Sequence, residues 1–304
     1  MHPAPSVILF TTLSGLGFGL LAFLGLGLPA LTGWPALGGY AAGFALALTG
    51  LVASTFHLGN PQRALRAFTQ WRSSWLSREA WAAVIALALM GLHALGPVFL
   101  GQRFALLGAL GALACLATVY ATSMIYTQIK AVPRWNIEAT PANFLTLSLA
   151  GGALLAGQST VAAALLALAG VIQMWTWRVG DRAFGAAGSN AASATGLQDR
   201  GAVRAFEAPH TGPNYLLREM VFQVGRRRAA ALRRIAMAAG IVGPLLLLGL
   251  GGGALWSAWL AAAIHAAGVL ASRWLFFAEA EHVVGLYYGQ TGGRAENPPR
   301  VVHG

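Results

Sequence analysis

Charge is scarce in this chain. Of 304 residues 10% are charged and nine are acidic, whereas an aqueous domain carries about 25% charged residues to solvate its surface. A fold wetted on all sides is excluded. Cysteine is scarcer still: Cys115 stands alone, so no disulfide forms within the chain, and a cluster that usually takes four thiolates has no home in it. Any iron–sulfur cluster must belong to a partner. The net charge of +11 does not signal a nucleic-acid partner, because the basic residues lie between apolar runs and not as a patch on a solvated fold. The first apolar run, Ser6–Leu28, lacks a basic lead-in and is too long for a cleaved signal peptide. It reads as a first membrane span.

What fills the sequence is hydrophobic, 57% of it, in stretches free of ionisable groups. Roughly 20 apolar residues cross about 30 Å of hydrocarbon. The stretches Ser6–Leu28, Leu37–Phe56, Trp81–Leu100, Phe104–Ile125, Ala142–Ala156, Val161–Trp177, Ile235–Leu250 and Ala254–Ser272 qualify. Each is apolar around its circumference, the mark of a helix buried or facing lipid; membrane strands would show short alternating segments. The expected fold class is therefore all-α, a polytopic bundle of about eight transmembrane helices forming a single domain over 1–304. The fifth run is short, with Pro141 placed for a first helical turn. The glycines of Gly15-Leu16-Gly17-Phe18-Gly19 and Gly249-Leu250-Gly251-Gly252-Gly253 follow no strand, so close helix packing explains both clusters better than a phosphate cradle.

Eight spans sort the loops onto two faces. One face takes both termini and the loops with Arg63, Arg66, Arg72, Arg78, Lys130 and Arg134, together with the long basic loop 178–234; the other has only Arg103. Lysine and arginine collect on the cytoplasmic side, which predicts cytoplasmic termini. Within the long loop, Gly185–Gly201 is rich in Gly, Ala and Ser and reads as a flexible linker. The stretch Gly225–Arg234 reads as a basic helix on the membrane surface or a docking element for a soluble partner.

Polar groups at membrane depth are costly and are functional candidates by default. His57 ends the second span, Glu79 opens the third, and His93 and His265 lie inside spans. An imidazole and a carboxylate at adjacent helix ends on one face are suited to accept the two protons of a quinol, histidine because its ordinary pKa is near neutral. The bland alternatives are that His57 caps a helix and that Glu79 complements the third helix dipole. Trp71, Trp75 and Trp81 surround the same place as an interfacial belt, or as walls for a quinone headgroup.

The strings His57-Leu58-Gly59 with Pro61…Arg63-Ala64, Trp71-Arg72-Ser73-Ser74-Trp75-Leu76-Ser77-Arg78-Glu79, and Tyr126 followed by Val132-Pro133-Arg134-Trp135-Asn136 resemble the DmsC family. These are the membrane anchors of dimethyl sulfoxide reductase-type molybdoenzymes. The resemblance covers most of the first half of the chain; the second half matches in span count and loop lengths. It implies an eight-helix anchor in the bacterial inner membrane that binds menaquinone or ubiquinone, itself holding no haem or iron–sulfur cluster. Such an anchor exchanges electrons with an iron–sulfur partner subunit, which serves a molybdopterin catalytic subunit. It also implies quinol binding by His57 and Glu79; the span count places two further candidates, Arg63 and Tyr126, on the same face. The family's founding anchors have termini outside the cytoplasm, opposite to the loop charges here. Anchors of cytoplasmic sulfite-oxidising molybdoenzymes are at least as similar, and there electrons would run to quinone. Two other classes compete: a cytochrome with His93 and His265 as haem ligands, and a secondary transporter, for which no internal repeat is evident.

Overall fold

The computed structural model describes residues 3–56, 60–201, 203 and 224–288. Eight helices traverse it: α1 (Pro5–Gly25), α2 (Gly33–Thr55), α3 (Trp75–Leu95), α4 (Ala105–Thr127), α5 (Ala139–Leu155), α6 (Ser159–Ala186), α7 and α8 (Leu255–Ala278). The seventh, α7, joins Val224–Met237, a π-turn over Ala238–Val242 and Gly243–Leu250. Among the described residues there is no strand. Seven helices are long and apolar enough to cross a membrane, and α5 is the shorter apolar one at 17 residues. The chain is an all-α, multi-span membrane protein.

The core is organised around α1. Its most apolar window is 83% buried, against 28–50% in the other spanning helices, and it packs on α2, α4, α5 and α8. Lipid is as apolar as leucine, so helices in a membrane associate through close packing of small residues. A Cβ added at Gly17 would strike the backbone of Ala47 in α2, one at Gly19 the Ser148 carbonyl in α5, and one at Gly25 the Gly108 carbonyl in α4. The first glycine cluster is thus a packing stripe. The second is a turn: Gly252 and Gly253 take positive φ between α7 and α8, and a Cβ on Gly249 would meet nothing.

The π-turn in α7 has a local cause. Pro244 has no N–H for the carbonyl four residues back, that of Gly240, and its ring crowds that carbonyl, so the helix widens. The released carbonyl lies 2.6 Å from His265 Nδ1 in α8, whose Nε2 lies 3.2 Å from the Leu147 carbonyl in α5. His265 is thereby engaged in helix packing. His93, also fully buried, reaches the Phe104 carbonyl at 3.1 Å through Nδ1.

The helices alternate in direction, so one end of the bundle carries the loops with Arg63–Arg78 and Lys130–Arg134, and the other carries Arg103, which donates to the Gly25 carbonyl at 3.1 Å. At the basic end the sequence-based expectations need two corrections. The Gly225–Arg234 stretch is no separate surface helix; it is the first part of α7 and packs against α8. The Gly, Ala and Ser-rich segment is not featureless: Asn190 and Ser193 form a reciprocal cap on the turn Ala191–Thr195.

Four charges fasten this end. Arg233 of α7 donates to Glu279 at 2.9 Å and to both Asp181 oxygens at 2.8 and 2.6 Å, and Arg134 reaches the same two carboxylates. The network joins the α4–α5 loop, α6, α7 and the end of α8. Glu279 is 7% exposed, so Glu279→Ala leaves two guanidinium groups with one carboxylate in a partly dry site, an expected loss of about 2–3 kcal/mol. Asp181 is 44% exposed, and Asp181→Asn is expected to cost less than about 1 kcal/mol. Thermal unfolding of the detergent-extracted protein measures both; equally small losses would reduce the network to ordinary surface pairs.

Candidate functional site

The third helix begins earlier than its apolar run suggests. Trp75 is its first residue, so Glu79 is the fifth and lies past the first turn, where the helix dipole no longer acts appreciably. Its role as a dipole partner is thereby removed. Glu79 shares the buried face of α3 with Ala83, Ala86 and Met90 and is 4% exposed. A carboxyl group in such surroundings requires a hydrogen-bond partner. Thr122 of α4 supplies it: its Oγ1 contacts Glu79 Oε1 and also lies 3.0 Å from the Thr118 carbonyl. One hydroxyl proton serves one acceptor at a time. With a proton on the carboxyl group, Glu79 donates to Thr122 and Thr122 to the carbonyl, a two-bond relay along α4.

One turn farther along α4, Tyr126 is buried among Trp135, Phe144, Phe276 and Phe277, with ring centroids 5.4–6.0 Å away. Trp135 stacks on Phe276 and donates its indole N–H to the Phe276 carbonyl at 2.8 Å. The string Val132-Pro133-Arg134-Trp135-Asn136 is therefore a plug: Val132 and Trp135 turn into the bundle, and Asn136 Nδ2 donates to the Thr127 carbonyl at 2.5 Å. Arg273 of α8 closes this layer, its guanidinium carbon 3.4 Å from the centroid of Phe144. Glu79, Tyr126 and Arg273 all lie within two turns of helix ends at the basic end of the bundle.

The adjoining outer face of α3 forms a groove of about 470 Å³ walled by Phe68, Trp71, Arg78, Trp81, Ala82 and Ile85. Arg78 is clasped by its own loop, donating to the Trp71 carbonyl at 3.0 Å and the Arg72 carbonyl at 2.7 Å, with its guanidinium over the Trp75 ring. Trp81 donates to the Phe68 carbonyl at 3.1 Å and packs edge-on against that ring. The Trp71–Glu79 string thus contributes Trp71 and Arg78 to an aromatic wall on the outer face of α3, while Glu79 itself lies on the buried face.

Of the residues expected from sequence, Glu79 reaches Thr122, one turn before Tyr126 on α4, and Arg63 sits on the exposed 3-10 segment Pro61–Phe68. His57 lies outside the described residues, immediately after Phe56, which caps α2. Sequence reasoning passes over Thr122 and Arg273. It ends the eighth span at Ser272, because a charged residue looks like a span end. The apolar run Trp274-Leu275-Phe276-Phe277-Ala278 that follows is the signal that the helix continues.

Comparison with known proteins agrees with this architecture. The profile described as DMSO reductase anchor subunit (DmsC) matches residues 2–177. One of the subunits of the sulfite dehydrogenase of Allochromatium vinosum is 33% identical over 328 residues, covering 95% of this chain and 99% of that protein. No solved structure matches significantly. With the family profile spanning more than half of the sequence and a relative aligned along nearly all of it, the chain belongs to the DmsC family of membrane anchors.

Proposed function

We propose that this anchor exchanges electrons between membrane quinone and a partner iron–sulfur subunit serving a molybdopterin catalytic subunit, with the quinone site at the basic end of the bundle. The carrying observation is the carboxyl group of Glu79, buried in the second turn of α3 and hydrogen-bonded to Thr122, on a helix whose outer face carries an aromatic groove. A quinone headgroup needs flat apolar walls and a proton donor or acceptor at its oxygens. The groove offers Phe68, Trp71 and Trp81, and the carboxyl group offers the proton. His57 is the second proton carrier in this proposal. Titrating a hydroxyquinoline N-oxide, a quinone-headgroup analogue, into membranes holding the assembled complex should give saturable binding that Glu79→Gln weakens. Membranes in which the wild-type complex binds none refute the site.

Both ring nitrogens of His265 lie within hydrogen-bond distance of backbone carbonyls, and Cys115 is the one cysteine of the sequence, which supports a chain without a two-histidine haem or a cluster of its own. Electron direction has two readings. The family name favours quinol as donor to a reductase, whereas the similarity to part of a sulfite dehydrogenase favours quinone as acceptor.

The basic end is proposed to face the cytoplasm of a bacterial inner membrane, because Arg63, Arg66, Arg72, Arg78, Lys130 and Arg134 lie there and Arg103 opposite. A periplasm-dependent phosphatase fused after Gly304 should be inactive. An active fusion overturns this orientation.

A further inference from the structure

Three cations stand together at the basic end without an anion. A groove of about 740 Å³ lies between α6 and the α4–α5 loop, and Lys130, Arg178 and Arg182 all line it. The three are exposed, and among the described residues their side chains have no hydrogen-bond or salt-bridge partner. No carboxylate lines the groove. Asp181, next to Arg182 in the chain, spends its oxygens on Arg134 and Arg233. Arg178 and Arg182 are four residues apart in α6 and so are neighbours on one helix face, where like charges repel. Such an arrangement calls for an anion between them.

The position of the groove selects that anion. It starts at Trp175, near the end of the apolar run of α6, and Val171, Met174 and Trp175 are exposed on the part of the helix that lies in lipid. Tryptophan rings favour the membrane boundary. At a rise of about 1.5 Å per residue, Arg178 lies about 4.5 Å beyond Trp175 along the helix axis and Arg182 about 10 Å beyond it. The polar headgroup layer is about 5–7 Å deep, and long basic side chains bend to reach it. We propose that the groove seats the headgroup of a negatively charged phospholipid, its phosphate held by Arg178, Arg182 and Lys130 and its glycerol and first acyl carbons lying along Trp175 and Val179. Guanidinium forks match phosphate oxygens, and basic residues at this level attract anionic lipid. An acidic segment of a soluble partner would meet the same charges, but the groove's inner end opens on the lipid-facing part of α6, where such a segment gains nothing. The proposal stands apart from the quinone reading, because the aromatic groove on α3 is walled by different residues.

The test titrates phosphatidylglycerol into the assembled complex, extracted in neutral detergent and stripped of lipid. The thermal midpoint is followed, and native mass spectrometry counts the lipid retained. Phosphatidylglycerol should raise the midpoint and phosphatidylcholine should not. Arg178→Gln combined with Arg182→Gln should raise the lipid concentration needed for half the effect about tenfold or more, since each cation at the surface adds to the attraction. Arg178→Lys with Arg182→Lys keeps the charge but not the fork and should fall between. Arg66→Gln with Arg200→Gln removes equal charge from exposed positions at the same end and should leave the requirement nearly unchanged. An equal loss in that control pair means general attraction to positive charge and overturns the proposal, as does an unchanged requirement when Arg178 and Arg182 are both glutamine. If that variant does not assemble, Lys130→Gln takes its place with the same reading. Inorganic phosphate that protects as well as the lipid makes the groove a phosphate site and removes the lipid. Loss of a soluble subunit with lipid retention unaltered makes it a protein-docking surface and overturns the proposal likewise.

Discussion

Glu79→Gln and His57→Arg should each reduce quinone-linked turnover about 100-fold while leaving the complex assembled on the membrane, the usual scale of general acid–base assistance. Glutamine keeps the shape of Glu79 and its contact with Thr122 but ends proton exchange at that position. Arginine at 57 keeps a donor and removes a neutral proton acceptor. Turnover with soluble artificial electron donors or acceptors should be unchanged, because that route bypasses the membrane. The contrast between the two assays carries the weight. Equal loss in both would mean that Glu79 holds α3 against α4 and does no proton chemistry. Wild-type quinone-linked rates in both variants would leave the anchor intact and its quinone site elsewhere.

The second large effect concerns packing. Gly19→Val places side-chain atoms where α1 meets the Ser148 carbonyl and Gly152 of α5, and backbone on both sides prevents local relief. Forcing the helices apart is expected to cost about 3 kcal/mol or more, enough to lose the folded protein from membranes. Gly249→Ala is the matched control, because a Cβ there meets nothing and the residue is helical; it should be neutral or stabilise by up to about 1 kcal/mol. Yield after membrane extraction and the thermal midpoint measure both. A Gly19→Val protein as stable as Gly249→Ala would mean that α1 and α5 do not touch at this crossing.

These cases show what the sequence conveys. Long apolar runs reveal the eight helices because hydrocarbon thickness fixes their length, whatever their neighbours. Helix ends are read poorly when a helix outlasts the membrane: the apolar run of α6 stops at Trp177, before Arg178, Asp181 and Arg182, yet the helix continues to Ala186. The start of α3 is misread for the same reason, since Arg78 and Glu79 precede its apolar part. Glu79 is still legible, as a lone carboxylate next to a span in a chain with few acids. Arg273 is not, because what covers it, the Phe144 ring of α5, belongs to a helix distant in sequence. The salt-bridge network is hidden for a like reason: Arg134 and Glu279 are 145 residues apart.

The central place of α1 sets the order in which the bundle can be completed. Of the eight helices it leaves the ribosome first, yet α5 and α8, two of those that enclose it, are synthesised after it, α8 last of all. Gly17, Gly19 and Gly25 meet α2, α5 and α4, but until α8 arrives the side of α1 that it covers faces lipid. The final helix to enter the bilayer closes the wall around the first. A chain stopped before Leu255 is accordingly not a smaller bundle but an open one, with one side of its innermost helix uncovered.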